Sequence, residues 1–173
     1  MKKILLLLSL HSAFVVAFSQ NIIFEENFEK GILDEVWKIS SGKWYVANLE
    51  EKGIKPLARD NHFALASAGD GEITIDIPVD NMDPDILLEL SFTYWVHSKG
   101  TSGIVGIMFL NGRQDSLTSV DFEALPEKGK WDFFNQQFKI PKGTTAIRLK
   151  LGEREGWTKN TVYFKSMRIT RPR

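Results

Sequence analysis

Short runs of alternating apolar and polar residues, separated by turn-forming residues, constrain this chain more than any other feature of its sequence. Residues 72–77 alternate without a break, and residues 87–96 place every second side chain on one face. Such alternation is typical of β-strands with one buried face. Further strands are predicted at residues 22–24, 44–46, 63–66, 104–110, 117–122, 131–140, 146–151 and 162–169. About ten strands, with a short helix of one or two turns around residues 32–37 as the only helix candidate, predict an all-β antiparallel sandwich.

The alternation also predicts which side chains are buried. In residues 72–77 the isoleucines face the core, and the remaining side chains face water. Near the end of the chain two interpretations stay open, because one buries Tyr163 with Met167 and the other buries Val162 with Phe164. Only one of these two sets can face the core in a regular strand, since the side-chain period is two.

Composition narrows the class of protein. The chain has 173 residues, of which 43% are hydrophobic, and this predicts one folded domain of ordinary size. It has no cysteine, which excludes a disulfide framework and a cysteine-ligated zinc or iron–sulfur site. Its 22 basic and 22 acidic residues balance, so the basic excess of a typical nucleic-acid binder is missing. The sequence therefore predicts no nucleic-acid partner.

The first 19 residues have the pattern of a secretory signal peptide. Lys2 and Lys3 precede an apolar run that reaches Phe18, and small residues flank that position before Gln20. We expect cleavage before Gln20, which leaves residues 20–173 as a single β-sandwich domain in the periplasm or outside the cell. The alternative is an uncleaved anchor, but polar residues interrupt the apolar run. No membrane span is predicted after cleavage.

The first residues of the predicted domain contain a pattern that is found in known domains. Glu26-Asn27-Phe28-Glu29-Lys30-Gly31 is followed by Trp37 and by Gly42-Lys43-Trp44-Tyr45-Val46. This pattern resembles galactose-binding-like and carbohydrate-binding-module jelly-roll domains, including the cleaved-adhesin-type modules of secreted Bacteroidetes proteins. The resemblance implies a jelly-roll sandwich that binds glycans or proteins without chemistry. It also implies that Trp37, Trp44 and Trp131 belong to the core.

The same resemblance implies a structural calcium ion between the opening acidic residues and an aspartate in the last strand. Glu25, Asn27 and Glu29 would supply the first ligands, because calcium takes carboxylate and carbonyl oxygens. The chain departs from the pattern at the other end of the site, where Lys165 stands in place of the aspartate. A lysine ammonium repels a metal ion, which argues against calcium at this site. Both a bound calcium and a metal-free site stay open.

Signatures of an enzyme are weak. The sequence has no Gly-x-Ser-x-Gly, His-Glu-x-x-His, P-loop or Rossmann glycine pattern. Glu72 and Asp76 share a strand face at a spacing of about 7 Å, which fits an inverting glycosidase pair. Simple alternation explains the two carboxylates equally well. A small secreted polysaccharide hydrolase therefore stays an alternative to a non-catalytic module.

Binding is the better-supported function. Sugar sites combine an aromatic face with hydrogen-bonding side chains. Trp95 lies on the face opposite the predicted core, and Trp157 lies in a polar stretch. The predicted ligand-binding residues are Trp95, His97, Asn135, Gln137, Arg148 and Trp157. The alternatives are that Trp95 packs under a loop and that Trp157 caps the sandwich. We predict a secreted, lectin-like module for carbohydrate or a glycosylated surface, with a protein-binding adhesin subunit as a further alternative.

Overall fold

The computed structural model describes residues 21–58, 62–68, 71–80, 82–97, 102–122, 125, 129–154 and 162–172. Within these ranges the chain forms eleven β-strands and no helix. The strands are β1 (Asn21–Glu26), β2 (Trp37–Ser41), β3 (Trp44–Asn48), β4 (Phe63–Ser67), β5 (Gly71–Pro78), β6 (Leu87–Val96), β7 (Ser102–Leu110), β8 (Ser116–Asp121), β9 (Asp132–Lys139), β10 (Ala146–Arg154) and β11 (Val162–Arg171). Accordingly, no helix long and apolar enough to cross a membrane occurs in the described part of the chain. The predicted signal peptide lies outside it.

The strands form two antiparallel sheets. The six-stranded sheet has the order β3-β4-β11-β6-β9, and β1 pairs with β11 beside β4. The five-stranded sheet has the order β2-β5-β10-β7-β8. Apolar side chains from both sheets meet in one buried cluster, so the sheets pack face to face. The predicted all-β antiparallel sandwich is confirmed.

The predicted alternation is confirmed in the two strands where it is most regular. In β6 the side chains from Leu88 to Val96 alternate between buried and half-buried positions. In β5 the three isoleucines are buried in the shared core. Thr74 was expected to face water, but it is only 6% exposed because β2 lies beside it. A position at the centre of a sheet is thus covered by neighbouring strands whichever face it occupies.

The helix candidate at residues 32–37 does not form a helix. The Asp34 side chain accepts a hydrogen bond from the backbone N–H of Val36, and the Asp34 carbonyl accepts one from Trp37. These bonds close a single turn, and Trp37 then begins β2. An aspartate side chain competes in this way with helical hydrogen bonds. The strand β2 is not among the predicted strands, because only two of its residues, Trp37 and Ile39, are apolar.

A bulge in β11 resolves the open register near the end of the chain. The pairing of β11 with β6 shifts between Lys165 and Arg168, and Ser166 adopts a φ of 52°. The extra residue resets the alternation. As a result the buried core of the sandwich contains Val162, Phe164, Met167 and Ile169 together. The interpretation that grouped Tyr163 with Met167 is wrong, because Tyr163 faces the other side of the sheet.

Because of the bulge, the stability of the fold is expected to depend on which residue stands at position 166. A β-branched residue is strained at positive φ, so Ser166→Val is expected to lower the free energy of unfolding by about 1–2 kcal/mol. Urea unfolding measures this change. Ser91→Val makes the same chemical change in the extended strand β6 and is expected to have little effect. Equal effects of the two substitutions would contradict a strained backbone at Ser166.

Candidate functional site

The outer face of the six-stranded sheet carries a groove. Its floor comes from β6, because Glu89, Ser91 and Thr93 alternate with the buried residues of that strand. Strands β9 and β11 flank β6 and form the two sides. The groove has a volume of about 420 Å³ and is lined by Glu89, Ser91, Thr93, Phe133, Ser166, Arg168 and Thr170. It therefore combines one aromatic ring with hydroxyl and charged groups.

Phe133 stands out in this groove. It lies on the edge strand β9 opposite Thr93, and its side chain is 60% exposed. Among the described residues it is the only phenylalanine, tyrosine or tryptophan in the exposed class. An aromatic ring left in water on a sheet edge has no packing role there, so it is available to a ligand. Strand parity puts Phe133 on the outer face, but parity alone does not distinguish a binding residue from any other exposed one.

Two predicted site residues extend the groove along β9. Asn135 pairs with Ser91, and Gln137 pairs with Glu89, so their side chains lie on the same outer face as Phe133. Both are exposed, and the Gln137 amide nitrogen lies 3.4 Å from a Glu89 carboxylate oxygen. Amide groups both donate and accept hydrogen bonds. The structure thus brings these two predicted residues together beside an aromatic ring.

The opposite side of the groove is charged. The Arg168 guanidinium donates through Nε to a Glu25 carboxylate oxygen at 2.7 Å, and its second nitrogen lies 2.6 Å from the same oxygen. Both side chains are about half exposed, at 50% and 41%. An exposed ion pair of this kind contributes little to stability. Its groups remain accessible to a polar ligand.

Trp95 packs against other side chains, whereas a residue that stacks on a sugar ring needs an exposed face. It lies on the predicted outer face, but its ring packs at a centroid distance of 5.7 Å, edge to face, against Trp131. Both rings belong to a second apolar cluster with Leu49 and Ile54, which lie in the segment after β3. The Trp131 indole N–H donates to the carbonyl of Lys55 at 2.9 Å and closes this segment over the sheet. The alternative that Trp95 packs under a loop describes this geometry.

The predicted patch is divided between the two sheets. His97 is exposed at the end of β6, on the same sheet as Asn135 and Gln137. Arg148 lies in β10, which pairs with β5 and β7 in the five-stranded sheet. The structure therefore does not bring Arg148 together with these residues, because outward parity does not identify the sheet to which a strand belongs. Trp157 lies outside the described residues.

Arg148 belongs to a charged network on the outer face of the five-stranded sheet. Its guanidinium donates two hydrogen bonds to Asp76, at 2.6 and 2.9 Å, and Lys38 lies 3.2 Å from the same carboxylate. Lys150 lies 3.9 Å from Glu72. A small pocket of about 170 Å³ opens beside these groups, where Gly106 has no side chain. The charges satisfy one another, and no exposed aromatic ring accompanies them among the described residues.

The ion pairs of this network decide whether Glu72 and Asp76 suit a catalytic pair. The hydrogen bond from Arg148, together with that from Lys38, lowers the pKa of Asp76 despite partial burial. A glycosidase general acid needs a raised pKa so that it carries a proton at neutral pH. Asp76 therefore does not suit the acid role in a pair with Glu72.

The three predicted calcium ligands are engaged in separate contacts. Glu25 pairs with Arg168, and the Asn27 side chain accepts the backbone N–H of Glu29 at 3.1 Å. Glu29 binds the ammonium group of Lys165 and accepts the backbone N–H of His62 at 3.2 Å. No cluster of three or more acidic or histidine side chains suited to a metal occurs in the described ranges. Each of the three side chains is thus already engaged by other groups of the chain.

The packing of Trp95 leads to a stability prediction. Trp95→Ala removes a ring that fills the second apolar cluster, so we expect the free energy of unfolding to fall by about 2–4 kcal/mol. His97→Ala, two residues further along at an exposed position, is expected to change it by less than about 0.5 kcal/mol. Thermal or urea unfolding measures both. An unchanged stability of Trp95→Ala would contradict a packing role.

The pKa of Asp76 leads to a pH prediction. Because this pKa is lowered from 3.8 in the folded protein, the ion pair stabilises the fold fully above that value. The stabilisation is lost as the pH falls from 3.8 through the folded pKa. We expect Asp76→Asn to cost about 1–2 kcal/mol at neutral pH and progressively less in acid. Unfolding measured from pH 7 to pH 2 tests this, with the more exposed Asp121→Asn as control; a pH-independent cost would contradict it.

Comparisons with known proteins support the fold at low sequence identity. No protein-family model and no curated protein matches the chain. The xylan-binding CBM22-1 domain of Paenibacillus barcinonensis Xyn10C is similar, with a TM-score of 0.65 and 16% identity over 88% of this chain and 95% of that one. The TmCBM61 module in complex with β-1,4-galactotriose has a TM-score of 0.59 and 15% identity, over 84% and 94% of the two chains.

An adhesin domain and a phage protein are also similar. The K1 cleaved-adhesin domain of Lys-gingipain from Porphyromonas gingivalis W83 has a TM-score of 0.52 and 11% identity, over 87% of this chain and 98% of that one. The enzymatically active domain of bacteriophage CBA120 tailspike protein 4 has a TM-score of 0.66 and 12% identity over 83% of this chain, which spans only 20% of that protein. The chain thus has the jelly-roll fold that carbohydrate-binding modules share with a cleaved-adhesin domain, as the resemblance in its sequence indicated.

Proposed function

We propose that this protein is a secreted, non-catalytic module that binds carbohydrate, free or on a glycosylated surface, in the groove of the six-stranded sheet. The observation that carries the proposal is the exposed ring of Phe133 beside a row of polar side chains. The signal-peptide pattern of residues 1–19 supports export. The carbohydrate-binding modules among the similar structures support the class of ligand.

An exposed aromatic ring suits a saccharide because the two surfaces match. One face of a pyranose ring presents C–H groups, and these pack against an aromatic face. Phe133 offers such a face at the groove rim, on the edge strand β9. Ligand sites typically have volumes of about 300–1,000 Å³, and the groove volume of about 420 Å³ lies in this range.

The polar side chains around the ring suit the hydroxyl groups of the ligand. Asn135 and Gln137 follow Phe133 at every second position of β9, so their amides lie in a row beside the ring. On the far side Arg168 supplies further N–H donors, and on the floor Glu89 supplies acceptor oxygens. Saccharide hydroxyls need both donors and acceptors. This arrangement supports recognition of a neutral polysaccharide such as those named for the similar modules.

The non-catalytic part of the proposal rests on the state of the carboxylates. Asp76 is held charged by Arg148 and Lys38, and Glu25 is held by Arg168. The lowered pKa of Asp76 does not suit a general acid, which requires a raised one. We therefore favour retention of an intact glycan over its hydrolysis.

The first test removes the aromatic ring. We expect Phe133→Ala to weaken binding to soluble xylan or β-1,4-galactan about tenfold or more, because the stacking surface is lost. Affinity electrophoresis in gels that contain each polysaccharide measures retention, and a reducing-sugar assay on the same mixtures should detect no cleavage. Stability should stay within about 0.5 kcal/mol of the wild type, since Phe133 is exposed.

The matched control is Leu117→Ala. Leu117 is an exposed apolar residue on β8, an edge strand of the other sheet, and its removal should leave retention unchanged. If Lys150→Ala abolishes retention while Phe133→Ala does not, glycan binding stands but the site lies on the five-stranded sheet. If the wild type is retained by neither polysaccharide and by no glycan of a broad array, the proposed function is wrong.

A further inference from the structure

Lys165 is a fully buried lysine that the proposed groove does not use. Its side chain has no exposed surface, although it projects from the outer face of the six-stranded sheet opposite Thr93. The ammonium group donates to a Glu29 carboxylate oxygen and to the backbone carbonyl oxygen of Phe63. A buried charge is costly unless it is paired and hydrogen-bonded. The structure satisfies that requirement with one carboxylate and one carbonyl.

The position of Lys165 in the sheet explains why the side chain is enclosed. On the side of β11 away from β6, Tyr163 and Phe164 pair with β4, whereas the pairing with β1 covers Met167 to Arg171. Lys165 therefore lies where one neighbouring strand ends and the other begins. The segment between β1 and β2, residues 27–36, leaves β1 at this place. The lysine ammonium contacts the chain on both sides of this point, at Glu29 just after β1 and at the Phe63 carbonyl in β4.

The segment after β1 is built around this ammonium group. Asn27 caps the backbone N–H of Glu29, and the second oxygen of Glu29 binds the N–H of His62 just before β4. Phe28, at a φ of 61°, turns its ring into the core. Gly31 packs so closely on the Phe63 ring that an added Cβ would lie 3.2 Å from it. The Glu29–Lys165 contact thus joins three separate parts of the chain.

The oxygen atoms around the ammonium are of the type that a calcium ion takes. Calcium prefers carboxylate and backbone carbonyl oxygens, and here one of each faces a positive charge. The metal expected between the opening acidic residues and the last strand thus has its place occupied by a cation of the chain itself.

We propose that the Lys165 ammonium is a built-in cation that ties the segment after β1 to β4 and β11, so that the domain folds without calcium and Glu25, Asn27 and Glu29 hold no metal. The consequence extends to the groove, because Ser166 and Arg168 follow Lys165 directly and line one side of it. The shape of that side then does not depend on a divalent ion. The proposal concerns the fold and stands whether or not the groove binds a glycan.

The first experiment uses the wild-type protein. We expect the same melting temperature in excess EDTA and in millimolar calcium chloride, and no heat of calcium binding in isothermal titration calorimetry. A lower melting temperature in EDTA, or binding of one calcium ion per chain, would overturn the proposal. Neither readout involves a polysaccharide, so this result is independent of the test of Phe133.

A double-mutant cycle tests whether the contact between Lys165 and Glu29 stabilises the fold. Lys165→Met keeps the length of the side chain but leaves the Glu29 carboxylate without its cation, and we expect a melting temperature lower by roughly 10 °C. Glu29→Gln should also lower it, and the double variant should lose less than the sum of the two single decreases. The exposed Lys43→Met is the matched control and should have little effect.

If the two single decreases in melting temperature add up in the double variant, the two side chains act separately. That result would contradict a stabilising contact between Lys165 and Glu29. Should Lys165→Met not fold, the comparison of wild type with Glu29→Gln in EDTA and in calcium still decides the question. A calcium-induced rise in the melting temperature of the wild type that Glu29→Gln abolishes would show a metal site at Glu29 and would contradict the built-in cation.

Discussion

The bulge in β11 between Lys165 and Arg168 is the constraint on which the rest of the six-stranded sheet depends. It inserts one residue into a strand that otherwise alternates, so Phe164 and Met167 both enter the core. The same irregularity lies where β4 and β1 meet beside β11, and there the Lys165 ammonium contacts the chain on both sides. Ser166 and Arg168 then reach the groove. Core packing, the ion pair of Lys165 and one side of the candidate site therefore share a single local origin.

The two outer faces of the sandwich differ in chemistry although both are polar in sequence. On the five-stranded sheet Lys38 and Arg148 share the carboxylate of Asp76 in one ion-pair network. On the six-stranded sheet an exposed ring, two amides and an accessible arginine border an open groove. A neutral saccharide gains from an exposed aromatic face as well as from hydrogen bonds, and among the described residues only the six-stranded sheet offers such a face. This difference is the reason for assigning the proposed function to the six-stranded sheet.

The aromatic residues show why packing and binding are hard to separate in a sequence. Trp95 and Phe133 both face outward by parity, and either ring has a face suited to a sugar. Trp95 nevertheless lies under the segment after β3, against Trp131, because that segment places Leu49 and Ile54 over the sheet. Phe133 has no such cover, since β9 is an edge strand. Which aromatic residue remains available was decided by a loop, and no periodicity in the chain describes that loop.

The sequence by itself determined the all-β class, most strand positions and the inner face of β5 and β6, because a half-buried strand must alternate with a period of two. It also placed Asn135 and Gln137 on an outer face. The tertiary structure alone decided which sheet each outer face belongs to, and so it separated Arg148 from those amides. It likewise decided that Lys165 would meet Glu29, which lies 136 positions away in the chain. Local periodicity specifies a face, whereas pairing between distant strands specifies the neighbours across it.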